Sequence, residues 1–181
     1  MRKSFLLVLA LLSANAFAAD YVQGPRSSLA FAGKYQGELF TGTFPGFQTR
    51  MRFDSADLGN ATLDVTIPLA TATTANPEYD VEMRGSAFFD AGKFPQARFT
   101  ANSFRALGGN RYAADGTLSL HGASKPVTLE FSWTPGAHPV LVGKATVHRL
   151  QFDVGGGDWA DTGLIPDAIA VATKLELQPA K

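Results

Sequence analysis

RYAADGTLSLHGASKPVTLEFSW, residues 111–133, alternates with period two on both sides of a central break. Tyr112, Ala114, Gly116, Leu118 and Leu120 fall on one face. After His121-Gly122-Ala123-Ser124-Lys125-Pro126, the set Val127, Leu129, Phe131 and Trp133 does the same. Thr117, Ser119, Thr128, Glu130 and Ser132 occupy the reverse face, so the stretch predicts a β-hairpin with one apolar side and one side in water.

The same period extends in both directions. Leu29, Phe31, Gly33 and Tyr35 share a face, and after Gln36-Gly37 so do Phe40, Gly42 and Phe44. Met51 and Phe53 resume that alternation beyond Pro45-Gly46, as in one long strand bent at a bulge. Leu63, Val65, Ile67 and Leu69 form a cleaner run. Ala97, Phe99 and Ala101 follow, then a run from Val140 through Val147 to Phe152, and last Ile169, Val171, Thr173, Leu175 and Leu177. Between Thr71 and Pro95 the period changes, and Asn76-Pro77-Glu78 predicts the start of a short helix. Gly155-Gly156-Gly157-Asp158-Trp159 reads as a flexible loop. About eight antiparallel strands with short turns can pack as two sheets or close into a barrel. The small inward residues Gly33, Gly42, Ala97, Ala101, Ala114 and Gly116 favour a barrel, which at eight strands is wide enough for a slim ligand.

Composition narrows the function. In the 181 residues there is no cysteine, and the formal net charge is zero. Arg2 and Lys3 precede the apolar run Phe5 to Leu12, and Ala16-Phe17-Ala18 is a small-x-small site, so residues 1–18 are expected to be a signal peptide cut between Ala18 and Ala19. The run is too short to span a membrane. Residues 19–181 are then one exported domain, expected in a periplasm. Losing the leader leaves 14 basic against 16 acidic residues, about −2, which argues against a nucleic-acid partner. His121, His138 and His148 lack ligand spacing, and no Gly-x-Ser-x-Gly, His-Glu-x-x-His or phosphate-loop motif occurs, so neither a metal, a cofactor nor an enzyme is expected.

Longer motifs carry a resemblance. Ser27-Ser28-Leu29-Ala30-Phe31, Gly42-Thr43-Phe44, Arg84-Gly85-Ser86-Ala87-Phe88-Phe89-Asp90 with Lys93-Phe94-Pro95-Gln96-Ala97-Arg98-Phe99, and Gly116-Thr117-Leu118-Ser119-Leu120-His121-Gly122 through Val127 are similar to those of the YceI-like family. These are exported, lipocalin-like proteins that bind polyisoprenoid or other long-chain lipids. The resemblance implies an eight-stranded antiparallel barrel with one short helix, built around a long apolar channel. It also implies an isoprenoid or other apolar lipid as partner, with a fatty-acyl derivative as the alternative and an enzyme acting on an isoprenoid quinone as a remoter one. The oligomeric state stays open, a homodimer included.

Phe31, Phe44, Phe53, Phe99, Leu118, Leu120, Phe131, Trp133 and Val171 are the candidate channel lining, although the same inward side chains would also fill a dry core. Arg26 stands where family members often carry a different polar residue. It reads as a solvated strand-end arginine or, if turned inward, as a partner for a phosphate or quinone oxygen. Trp159 is a candidate lid or plug over the channel.

Overall fold

A computed structural model describes residues 19–180; the expected signal peptide lies outside the described residues. The chain forms β1 (Ala19–Gln23), β2 (Ser28–Tyr35), β3 (Glu38–Thr43), β4 (Gln48–Phe53), β5 (Thr62–Pro68), α1 (Pro77–Arg84), β6 (Gln96–Gly108), β7 (Arg111–Leu120), β8 (Ala123–Thr134), β9 (Val140–His148) and β10 (Ala168–Pro179). All pairings between strands are antiparallel, and the order β1-β4-β5-β6-β7-β8-β9-β10 closes because β10 also pairs with β1.

β2 runs along β10 directly beyond β1, with Gln23 opposite Leu177 and Ser28 opposite Lys174. β1 and β2 are therefore two halves of one wall strand parted at Gly24–Ser27, and β3 and β4 are the matching halves of the next, parted at Phe44–Phe47. Counted so, the wall has eight strands. Pro45 and Gly46, the latter with φ +80°, account for the second break, since one lacks a ladder donor and the other adopts a left-handed conformation.

The hairpin of residues 111–133 turns more tightly than its sequence suggests. Leu120 pairs with Ala123, leaving a two-residue turn at His121 (φ 50°) and Gly122 (φ 79°). Two consecutive positive φ values give the turn whose twist matches the flanking strands. His121 Nδ1 lies 3.0 Å from the Phe152 carbonyl, and its ring packs edge-on against Phe94 at 4.9 Å.

Two segments cover one end of the barrel. Residues 69–95 contain α1, whose start at Pro77 is capped by the Asn76 side chain accepting from the Glu78 and Tyr79 amides. Residues 149–165 form the other cover. The run expected to continue as strand to Phe152 instead leaves the sheet after His148 in a 3-10 turn over Arg149–Phe152. The covers meet where the Gly155 amide donates to the Ala87 carbonyl at 2.8 Å.

Buried Asp80 fixes α1. Its carboxylate accepts from the Thr73 hydroxyl at 2.6 Å, the Thr74 amide at 2.6 Å and the Thr74 hydroxyl at 2.8 Å. The Thr73 hydrogen bond, with the Thr74 bonds and Arg84, holds its pKa below the ordinary value despite burial. A depressed folded-state pKa contributes stability that is complete above the unfolded aspartate value of about 3.9 and is lost as pH falls through the lower folded value. Asp80→Asn is accordingly expected to cost about 1–2 kcal/mol at neutral pH. The gap from wild type should close in acid, as read from urea unfolding between neutral pH and about pH 2.

Candidate binding cavity

The barrel interior is divided along its axis. At the uncovered end, Phe53 packs against Trp133 (4.7 Å between ring centroids), Tyr112 (5.1 Å), Phe131 (5.6 Å) and Phe104 (6.0 Å), and Tyr21 closes on Trp133 at 5.8 Å. These rings form a solid plug. Phe53, Phe131 and Trp133, expected in the channel lining, belong to it and do not border the cavity. They face inward as the period-two pattern requires, but at the filled level of the barrel.

Above the plug lies a cavity of about 320 Å³, within the range of roughly 300–1,000 Å³ usual for small-molecule sites. Phe31, Phe44, Phe99, Leu118, Leu120 and Val171 border it, together with inward residues outside the expected lining, among them Val65, Val127, Ala145, Val147 and Ile169. Leu63, Leu175 and Thr49 border it at the level next to the plug. Tyr35, Tyr79, Phe88 and Trp159 stand at the covered end.

The space remains open partly because aromatic rings lie flat on the wall. Phe31 pairs across the ladder with Gly42, and a Cβ at that glycine would sit 2.2 Å from the Phe31 ring. Phe99 covers Gly116 in the same way, and Phe40 covers Gly33. Glycine at these sites supplies the room a ring needs to lie down. Gly42→Ala is therefore expected to lift the Phe31 ring off the wall and reduce the cavity. A destabilisation of about 1–3 kcal/mol from overpacking should be seen in thermal unfolding.

Two charged side chains border the cavity among the described residues, Glu82 of α1 and Arg149. Arg149 borders the cavity but is only 3 % exposed, and all five of its N–H donors are used by main-chain carbonyls. Nε donates to Pro166, Nη1 to Val154 and Gly155, and Nη2 to Trp159 and Ile165, at 2.6–3.2 Å. Burial pushes its pKa down, against the pull of Asp167. Arg149 is thus a staple for the 149–165 cover. Gly155 is buried within this arrangement at φ 65°, and a Cβ there would meet Arg149 Nη1 at 2.7 Å. The glycine-rich segment expected to be a flexible loop is a pinned rim.

Trp159 sits against Phe88 at 5.3 Å and Tyr35 at 6.4 Å, with its carbonyl held by Arg149. It forms part of the mouth. Arg26 does not reach the cavity: its side chain is 82 % exposed and pairs with Glu176 at 2.7 Å on the outer surface. Among the described residues no cluster of three or more His, Asp or Glu side chains could hold a metal ion, and no helix is long and apolar enough to cross a membrane.

Known proteins share this architecture. The family model described as YceI-like domain matches residues 21–177. A UPF0312 protein of Pseudomonas fluorescens is 35% identical over 72% of this chain and 73% of its own length. Another, from Vibrio parahaemolyticus, is 28% identical over 91% and 96%. The crystal structure of Burkholderia cenocepacia BcnA superposes with a TM-score of 0.79 at 28% identity, covering 82% of this chain and 94% of that one. A polyisoprenoid binding domain from Saccharophagus degradans, implicated in plant cell wall breakdown, has the same fold, with a TM-score of 0.69 at 14% identity over 91% and 100%.

Proposed function

The chain belongs to the YceI-like family, and from that footing we propose that it is an exported protein that binds and carries a long apolar lipid, an isoprenoid chain above all, in the barrel cavity. The observation that carries this reading is the lumen itself, an apolar space of about 320 Å³ set above an aromatic plug and left open where rings lie flat over glycines of the wall.

Each methylene taken from water into such walls contributes about 0.8 kcal/mol, so roughly ten buried carbons suffice for micromolar affinity without a charged contact. The Saccharophagus domain, described as binding polyisoprenoid, supports that class of ligand on the shared fold. The basic and apolar N-terminal residues followed by Ala16-Phe17-Ala18 support export to the periplasm. Binding rather than catalysis is favoured because Arg149, the one cationic side chain bordering the lumen among the described residues, has no free donor to offer a substrate.

Native mass spectrometry of the protein purified from its own host, with organic extraction of what it releases, tests the reading. A stoichiometric isoprenoid is the expected result. A fatty-acyl species would redirect the ligand class. A protein that carries nothing and takes up no added polyprenyl lipid would overturn the carrier function.

A further inference from the structure

Thr49 stands out among the cavity walls. It is 2 % exposed, and its Oγ1 is the one buried side-chain polar atom without a hydrogen-bond partner among the described residues. The other threonines of the cavity are satisfied: Thr173 donates to the Ser28 carbonyl at 2.9 Å, and the Thr74 hydroxyl reaches Asp80 at 2.8 Å.

The position of Thr49 is fixed from behind. The Gln23 side chain accepts from the Thr49 amide and donates to the Phe47 carbonyl. Thr49 pairs with Val65 in β5, and one inward step further along β4 is Met51, beside the plug. A hydroxyl buried without a partner is unfavourable, whereas valine has nearly the same shape and carries no such penalty. At this depth the hydroxyl is useful only if a polar atom arrives to meet it.

We infer that the Thr49 hydroxyl hydrogen-bonds an uncharged polar group at the inner end of the bound lipid, which therefore lies head inward with its tail running to the mouth. The inference rests on the lipid-binding reading above. The group is a carbonyl, hydroxyl or amide. An ionised phosphate does not suit the site, because it would be desolvated among apolar walls and the donors of Arg149 are already taken. The contact requires the side chains around Thr49 to shift on binding.

Two probes test this: squalene, a pure isoprenoid hydrocarbon, and a benzoquinone carrying an isoprenoid tail of the same carbon number. Their affinities are compared in wild type, Thr49→Val and Thr49→Ser. Thr49→Val is expected to weaken the quinone roughly five- to tenfold, about 1–1.4 kcal/mol, and to leave squalene unchanged or tighter. Thr49→Ser should remain close to wild type. If Thr49→Val alters both probes equally, or neither, the inference is overturned while lipid binding stands. If the wild-type protein binds neither probe, the carrier reading falls and the inference falls with it.

Discussion

Arg149→Ala is expected to lower unfolding stability by about 3–5 kcal/mol, near the upper end of what single substitutions do. One guanidinium serves five carbonyls, from Val154, Gly155, Trp159, Ile165 and Pro166. Removing it leaves several of these acceptors facing apolar surroundings, at about 1–3 kcal/mol for each one that water cannot reach. The carbonyls lie around a planar fork, so a lysine, with three donors on a single atom, cannot replace it. Arg149→Lys should therefore resemble alanine more than wild type. Urea denaturation measures the loss, and limited proteolysis should show faster cleavage within residues 153–165. An Arg149→Ala protein within 1 kcal/mol of wild type would mean that the cover is held by other contacts.

The second large effect is on binding. Ala145 borders the cavity from β9, opposite Val171 of β10, and its neighbours Lys144 and Thr146 point to solvent. Ala145→Trp places a ring system that buries roughly 150–250 Å² into a space of about 320 Å³. Lipid affinity is expected to fall at least about 100-fold, or 2.7 kcal/mol. Stability should hold or rise by about 0.5–2 kcal/mol, because the new side chain fills a cavity already present. Binding and stability thus move in opposite directions, which distinguishes a blocked lumen from a damaged fold. Titration with a polyprenyl lipid alongside calorimetric unfolding measures both. Undiminished uptake by the variant would place the lipid elsewhere on the protein.

Much of the fold is written in local patterns. The alternation on either side of His121-Gly122 identifies β7 and β8 and their shared inward face, and Asn76-Pro77 marks the start of α1 because the cap and the proline both act within one turn. β1 is not legible in the same way: it is five residues long and is held by pairing with β4 and β10 rather than by any period of its own. β9 ends at His148 although apolar residues continue to Phe152, because the turn is set by Arg149 and its distant carbonyls.

The site was legible in direction but not in depth. Period two tells which side of the wall a residue faces, so Phe31, Phe99 and Phe131 read alike, yet pairing register and the tilt of the barrel put Phe131 in the plug and the other two on the cavity. Arg149 and Thr49 carry no sequence signal, since a lone arginine or threonine ordinarily faces water. Only the assembled barrel shows that one is saturated with carbonyls and the other has no partner.

The most direct measurement of the central claim is a set of intermolecular NOEs between a bound isoprenoid chain and methyl-labelled protein. The expected result is contact between the chain and the methyls of Val65, Leu118, Val147 and Val171, with none to those of Val142, which is exposed on the outer face. Contacts confined to the outer face, with those four methyls silent, would contradict a lipid carried in the barrel.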